Sequence, residues 1–405
     1  MSRRLAALRG DLDVFPSPDR ARPGLVIQDK NGFSNRQIIV PPLLVRALEV
    51  FDGEQTAIDL RAVLARMTGE LDNAELAVHL EQTLSECGFL RDAVFERMRD
   101  ERFAAWRALD RIEFSHAGPG NYPADGAAAK ALLGTWFRKA EREVAEPVRA
   151  IAAPHASPEA VKDCYVAAYG ALAGGLTREA AQEKTFVILG TSHYGELDKL
   201  GTTRRPFATP FGVSEVDREM LAELRGPGIL EEDYYFSMEH SVEFQVVFLQ
   251  FLYGPNIRIL PLLCGSYALS IYQGGLPESN DEVRRYLDSL QALHAKHGDK
   301  LLWILGIDLA HVGRRYGDDK PFQAGEMPEV EVRDRRRLAD VAAGRTESFW
   351  ADVQDGQNAL KWCGSAPLYT FLRAVPSARG RLMDYSHWQI DRESVVSVGA
   401  MTFRL

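Results

Sequence analysis

Hydrophobic and polar positions divide the chain into two parts with different patterns. Residues 24–40 contain two β-rich runs on either side of Asn31-Gly32, a dipeptide that suits a type I′ hairpin turn. Three segments with helical spacing follow, each closed by a glycine-containing turn, over residues 41–51, 56–67 and 72–87. We therefore predict a small N-terminal α+β domain, built from a hairpin and three short helices.

From residue 145 onward, short β-rich runs alternate with helical stretches, which is typical of an α/β domain with a mainly parallel sheet. The predicted strands cover residues 148–153, 185–189, 257–262, 301–304 and 394–403. The predicted helices cover residues 127–143, 158–173, 214–224, 241–252, 281–297, 330–343 and 366–374. Residues 91–112 predict a helical connector, so we place the domain boundary near residue 113 and predict domains 1–112 and 113–405.

Composition narrows the class of protein. The 405 residues are 46% hydrophobic and 26% charged, which is ordinary globular composition and excludes a disordered or collagen-like chain. The net charge of −9 disfavours nucleic acid and anionic membrane surfaces as partners. Four widely spaced cysteines, no expected signal peptide and no long apolar run together predict a cytoplasmic location.

Three histidines follow three of the apolar runs, at the places where ligands bind in open α/β sheets. His155 follows residues 148–153, while His193 and His311 follow two further predicted strands. Because parallel neighbours deliver their carboxyl ends to one edge of the sheet, these side chains can converge on one cleft. Any single histidine could equally be a capping or hydrogen-bonded residue, but the set of three favours a functional site.

Cys363 lies just ahead of a predicted helix with Ser365 as its N-cap and Pro367 in its first turn. A helix N-terminus favours thiolate over thiol, and thiolate is both a nucleophile and a metal ligand. The alternative is a buried free cysteine, which is what we expect of the three other cysteines in their apolar runs.

The segment Glu239-His-Ser-Val-Glu243 opens another predicted helix and places its two carboxylates four residues apart on one face. It lacks the second histidine of the HExxH zinc signature, so support of a neighbouring site or substrate contact is the better interpretation. The alternative is a charged first turn that the helix dipole favours. No GxSxG, GxxxxGK[ST] or GxGxxG motif follows a strand, so a serine hydrolase and a nucleotide-binding enzyme lose support.

With these residues in hand, residues 116–405 resemble the Memo family, in particular the bacterial AmmeMemoRadiSam system protein B. The matching motifs run in family order: Tyr122-Pro-Ala-Asp125, Ala153-Pro-His155, Leu189-Gly-Thr-Ser-His193, Ala208-Thr-Pro-Phe-Gly212, Glu239-His-Ser-Val-Glu243, Asp308-Leu-Ala-His311, Trp362-Cys-Gly-Ser-Ala-Pro367 and Ser394-Val-Val-Ser397. The family's fold is similar to that of the class III extradiol dioxygenases, whose non-haem iron is held by two histidines and one carboxylate.

The resemblance implies that His155, His193 and Cys363 bind one metal ion, with Fe(II) or Cu favoured and Zn possible. It also implies that His311 is an acid–base group, and Asp308, three residues earlier, is expected to orient its ring. Glu239 is a further candidate for the catalytic set, and substrate or supporting contacts are expected from His240, Glu243 and Ser192. The alternative for His311 is a role in a buried hydrogen-bond network.

The N-terminal segment resembles a PqqD-like winged-helix domain, which raises DNA binding as one possible role. However, residues 72–87 contain four acidic residues and neither Lys nor Arg, so phosphates would be repelled. Docking of a peptide, an interdomain role, or simple packing support for the larger domain is the better expectation.

For the whole protein we expect a metal-dependent redox or dioxygenase-like enzyme acting on a small-molecule or peptide substrate. The alternatives are a metal-stabilised peptide-binding or protein-binding module and, less favoured, a zinc hydrolase with Glu239 or Glu243 as base. The family resemblance implies an AmmeMemoRadiSam-type modification pathway with radical-SAM and AMMECR-type partner proteins. Neither nucleic acid nor a membrane is an expected partner.

Overall fold

The structure is a computed structural model that describes residues 3–17, 19, 21–138, 148–224 and 226–405. The chain divides into two compact units, Met1–Leu109 and Asp110–Leu405. The C-terminal part of the predicted helix 127–143 lies outside the described residues.

The N-terminal unit combines a small antiparallel sheet with helices. Its strands pair in the order β1-β2-β3 and are Asp13–Pro16, Leu25–Gln28 and Gln37–Val40. A 3-10 helix, Pro42–Val50, precedes the helices α1 (Ala57–Thr68), α2 (Ala74–Glu86) and α3 (Ala93–Ala108). One face of each of α1 and α2 is buried in a common apolar core that includes Ile27, Val40, Leu60, Leu64, Leu80 and Leu84.

The predicted tight turn at Asn31-Gly32 is wrong, although the two flanking strands do pair. Strands β2 and β3 are antiparallel, with Gln28 opposite Gln37, so a longer loop connects them. The Asp29 carboxylate accepts hydrogen bonds from the backbone N–H groups of Asn31 and Ser34 and thereby organises this loop. A side chain that captures backbone donors in this way competes with a two-residue turn.

The larger unit contains the following elements. Its strands are β4 Ala150–Ala153, β5 Thr185–Thr191, β6 Leu200–Thr202, β7 Phe207–Thr209, β8 Gly212–Val216, β9 Ile229–Leu230, β10 Arg258–Cys264, β11 Leu301–Gly306, β12 His311–Gly313, β13 Arg379–Asp391 and β14 Ser394–Arg404. Its α-helices are α4 Gly126–Phe137, α5 Lys162–Gly175, α6 Arg178–Gln182, α7 Arg218–Glu223, α8 His240–Tyr253, α9 Ala268–Gln273, α10 Asp281–His297, α11 Met327–Ala342, α12 Thr346–Gln354 and α13 Ser365–Ala374. Short 3-10 helices occupy Tyr234–Ser237, Pro277–Ser279, Gly298–Lys300, Arg314–Tyr316 and Ala324–Glu326.

Most of these strands form one sheet with the order β12-β14-β4-β11-β5-β10-β6-β9. The neighbours β4, β11, β5 and β10 are parallel, while β14 pairs antiparallel with β4 and with β13. Strands β5 and β11 are buried along their whole length, as expected for parallel strands covered on both faces. The sheet confirms the predicted α/β fold class with a mainly parallel central sheet.

The start of α8 approaches the central strands closely because two glycines leave room for it. A Cβ atom at Gly306, the last residue of β11, would lie 2.4 Å from the carbonyl oxygen of Ser241. A Cβ atom at Gly190 in β5 would lie 2.6 Å from the Ser241 hydroxyl oxygen. The N-terminal turn of α8 therefore lies against the carboxyl ends of β5 and β11, where the candidate site residues also lie.

One predicted helix begins too early, and the prediction omits several of the observed strands and helices. Residues 214–216, predicted as helix, belong to β8, which pairs with β10. Helix α7 begins after Asp217, whose side chain caps it by accepting a hydrogen bond from the Met220 N–H. The long strand β13 was absent from the prediction, because its many charged and polar residues hide its alternation. Among the described residues, no helix is both long and apolar enough to cross a membrane.

Candidate metal centre

His155 lies directly beyond β4 and is almost completely buried. Its Nδ1 donates to the carbonyl oxygen of Gly306 at 2.9 Å, because a carbonyl can only accept. This contact fixes the ring and leaves Nε2 available to the site. Nε2 lies 3.2 Å from Sγ of Cys363 and 3.5 Å from Oδ2 of Asp308.

His193 lies beyond β5, the neighbour of β11, and Glu239 holds it in place. The Glu239 carboxylate accepts from the His193 backbone N–H at 3.0 Å and lies 3.0 Å from its Nδ1. The Glu239 side chain is fully buried and also accepts from the Ser241 N–H, so it caps α8. Because Nδ1 faces a carboxylate, Nε2 of His193 is left for the site, and its ring lies 5.0 Å from that of His155.

Cys363 completes this group from the turn that precedes α13. Its Sγ faces Nε2 of His155 and lies 3.7 Å from the carbonyl oxygen of Asp308. One potential ligand atom from each of His155, His193 and Cys363 lies within 4.8 Å of the others. The structure thus brings together the three residues that the sequence singled out as metal ligands.

The thiol and the imidazole of this group shift each other's pKa. Burial opposes ionisation of the Cys363 thiol, but the neighbouring His155 and His311 lower its pKa to about 5. Burial likewise disfavours charge on His155, yet Asp308 and Cys363 raise its pKa to about 9. These opposite shifts favour a thiolate beside a protonated imidazole in the metal-free site. Thiolate is the form that ligates metals, and a metal ion at Nε2 of His155 would take the place of the imidazole proton. Two oriented imidazoles and one thiolate fit an Fe, Cu or Zn ion.

His311 lies at the start of β12, close to the same group. A ligand atom of His311 lies within 4.8 Å of one from Asp308 and one from Cys363. Its Nδ1 donates to the Leu309 carbonyl at 3.0 Å, and its ring packs edge-on against Tyr316. The Leu309 carbonyl, rather than the expected Asp308, therefore fixes Nδ1 of the ring.

Asp308 instead supports His155. Its Oδ1 accepts from the backbone N–H groups of His155 and Ala156 at 2.9 and 3.0 Å. The carboxylate is buried and so fixes the loop that follows β4. Asp308 therefore acts on a predicted metal ligand rather than on the predicted acid–base residue.

Glu243 anchors a segment that the sequence did not connect with the site. Its carboxylate accepts from the backbone N–H groups of Ser115 and His116, each at 3.0 Å, and from the buried Tyr122 hydroxyl. The His116 ring lies 2.9 Å from Glu243 through Nδ1 and 5.4 Å, between ring centroids, from His240. The motif Tyr122-Pro-Ala-Asp125 adjoins this segment, but no local sequence signal links it with Glu243.

The two remaining sequence candidates differ in position. The His240 ring stacks on His193 with centroids 5.0 Å apart, and His193, Glu239 and His240 form a further group that could hold a metal ion. Burial and the neighbouring histidines hold the pKa of His240 well below its usual value. Ser192 accepts from the Gly195 N–H through its hydroxyl and so shapes the loop beyond β5.

Comparison with known proteins agrees with this architecture. The family model described as Memo-like protein matches residues 113–402. A MEMO1 family protein of Aquifex aeolicus is 26% identical over 96% of this chain and 98% of its own length. A MEMO1 family protein of Thermus thermophilus is 26% identical over 80% of this chain and 91% of its own length, and one of Methanopyrus kandleri is 33% identical over 63% and 82%. The chain belongs to the Memo-like family.

Proposed function

We propose that the protein holds one metal ion through His155, His193 and Cys363 and uses it for dioxygenase-like redox chemistry on a small-molecule or peptide substrate. The observation that carries the proposal is the close grouping of two oriented imidazoles with the Cys363 thiol. Three protein ligands leave coordination positions open, which a purely structural site does not need. The soft thiolate shifts the preference toward Cu or Zn compared with a carboxylate ligand, and the resemblance to the extradiol dioxygenases keeps Fe(II) among the candidates. When bound, such an ion supplies Lewis acidity and, for Fe or Cu, a change of oxidation state.

The surrounding residues supply proton transfer and hold the ligand loops in position. His311 has its Nδ1 committed to the Leu309 carbonyl, so its Nε2 is the atom that would give or take a proton in the cleft. Glu239 and Asp308 keep the two ligand loops in place, and the burial of His155 keeps water away from that side of the site. The chain thus offers separate groups for binding, orientation and proton transfer.

A zinc hydrolase gains no support from the two carboxylates that were its candidate bases. Glu239 is fully buried and accepts three hydrogen bonds. Burial alone would raise the pKa of Glu239, but its interaction with His193 holds that pKa well below the usual range. Glu243 is equally occupied by Ser115, His116 and Tyr122. A general base needs a free carboxylate within reach of water, and neither residue offers one.

The proposal is tested by anaerobic purification, elemental analysis and reconstitution with Fe(II), Cu(I) or Zn(II). We expect one ion per chain, lost in Cys363→Ser and retained in the control Cys264→Ser, whose thiol is buried in β10. Oxygen uptake by the Fe-loaded or Cu-loaded protein, with phenolic compounds and peptides as trial substrates, then separates the redox enzyme from a binding module. Equal metal content in both variants would contradict the ligand assignment.

A further inference from the structure

Trp362, the neighbour of Cys363, is held by α11. It is 1% exposed, and its Nε1–H donates to Oδ1 of Asp334 at 2.7 Å. The guanidinium carbon of Arg337, one turn further along α11, lies 5.2 Å from the centroid of the indole ring. The Trp362 backbone N–H donates to the Asn358 side chain at 3.1 Å. The residue before the candidate thiolate ligand is therefore fixed at its ring, at its ring nitrogen and at its backbone.

The same carboxylate also reaches the segment that carries His311. Oδ2 of Asp334 accepts from the Ser397 hydroxyl at 2.5 Å and from the Tyr385 hydroxyl at 2.9 Å. The Ser397 hydroxyl oxygen in turn accepts from the Ala310 N–H at 2.9 Å. Backbone hydrogen bonds from Leu309 to Ser397 and from Ser397 to Ala310 tie the two segments together further.

We propose that Asp334 is a positioning residue for the candidate metal centre, which fixes the Cys363 turn through Trp362 and the His311 segment through Ser397. The inference rests on the proposed function for the role of Cys363 as a ligand. Asp334 is itself fully buried and carries its effect through these two neighbours.

The chemistry of the network requires a carboxylate at residue 334. The Ser397 hydroxyl already accepts from the Ala310 N–H and therefore has its own proton to donate. The indole N–H of Trp362 can only donate. A carboxylate accepts from Trp362, Ser397 and Tyr385 at once, whereas an amide would turn two donor hydrogens toward at least one of them.

The turn ahead of Cys363 has a strained backbone that needs such anchoring. Gln357, Asn358 and Lys361 all have positive φ, between 51° and 55°, in the turn that leads to Trp362. Non-glycine residues occupy this region at a cost and stay there only when their surroundings hold them. The contacts of Trp362 with α11 are suited to hold this turn, and with it the position of the Cys363 thiolate.

The test uses Trp362→Phe and Asp334→Asn, each in the full-length protein, titrated with Co(II) and followed by the thiolate-to-metal charge-transfer band. Trp362→Phe keeps an aromatic ring at this position and removes the N–H donor together with part of the indole. We expect Co(II) affinity to fall about tenfold in each variant, at the lower end of the effect of residues that support metal ligands. The two losses should not add in the double variant, because both substitutions disrupt the hydrogen bond between Trp362 and Asp334.

Asp340→Asn is the matched control. Asp340 lies on α11, is buried, and accepts from Arg345 and Ser348 instead of from the site. We expect this variant to keep the Co(II) affinity and band of the wild type even if it melts earlier. Unchanged affinity in Trp362→Phe and Asp334→Asn, or an equal loss in Asp340→Asn, would overturn the proposal.

A second measurement keeps the inference separate from the proposed function. Hydrogen exchange of the metal-free protein, followed by mass spectrometry, reports on the amides of residues 309–311 and 362–364 without any metal. Asp334→Asn should lose protection in both segments, and Asp340→Asn in neither. A wild type that binds no Co(II), together with this selective loss, would refute the metal centre and leave Asp334 as the anchor of the two segments. Unchanged exchange would refute the positioning role.

Discussion

Replacing Glu239 with Gln isolates the orientation of one metal ligand. The substitution preserves shape and removes a single acceptor oxygen with its charge. In the native structure the carboxylate accepts from the His193 N–H, the His193 Nδ1–H and the Ser241 N–H, each at 3.0 Å. A Gln amide accepts through one oxygen only, so its NH₂ group must face at least one of these donors.

Two separate effects follow from this geometry, one on stability and one on metal affinity. A buried N–H left without an acceptor costs about 1–3 kcal/mol of unfolding free energy. An amide N–H facing Nδ1 also favours the tautomer with the proton on Nε2, which is the atom that must be free to bind metal. Loss of such a supporting contact lowers metal affinity about 10–100-fold, which corresponds to roughly 1.4–2.7 kcal/mol.

The assay combines competitive metal titration with chemical denaturation of the metal-free protein. Glu243→Gln is the matched control, because Glu243 is also buried on α8 but accepts from Ser115, His116 and Tyr122. Both variants should lose stability, and only Glu239→Gln should lose metal affinity. Native affinity in a folded Glu239→Gln protein would refute the role assigned to this carboxylate.

Three further predictions concern other residues. His311→Ala should keep the metal content, measured by elemental analysis, and abolish turnover, because the ring is expected to move protons rather than to ligate; loss of the metal would make it a ligand. Burial raises the pKa of Asp233 to about 6, so the folded protein binds this proton more tightly than the unfolded chain and stability falls as the pH rises from about 4 to about 6. In denaturation at pH 4 and pH 7, Asp233→Asn should therefore gain up to about 3 kcal/mol relative to wild type across this window, and a constant difference would contradict the shift. The full-length protein should give no salt-sensitive retardation of duplex DNA, because α2 carries Glu75, Glu81 and Glu86 and neither Lys nor Arg.

The sequence predicts the candidate metal ligands better than it predicts the residues that orient those ligands. His155 and His193 are recognisable because each directly follows an apolar strand, and strand ends are where α/β folds place their ligands. The partners of these histidines have no comparable local signal. Glu239 reaches His193 across 46 positions, Glu243 reaches His116 across 127, and Asp334 reaches Trp362 across 28. Such pairs depend on how helices dock on the sheet, which a single sequence does not reveal.

Asp308 shows that strand order and register, added to the sequence, are enough to predict its contact with His155. Its position three residues before His311 suggested a local contact, and the structure pairs it with His155 instead. The reason is sheet register: β11 and β4 are parallel neighbours, with Gly306 opposite Ala153. Two residues beyond that pair, Asp308 and His155 stand at the same level of adjacent strand ends. Strand order and register therefore determine this contact, and once both are known the carboxylate follows from the sequence without any knowledge of side-chain packing.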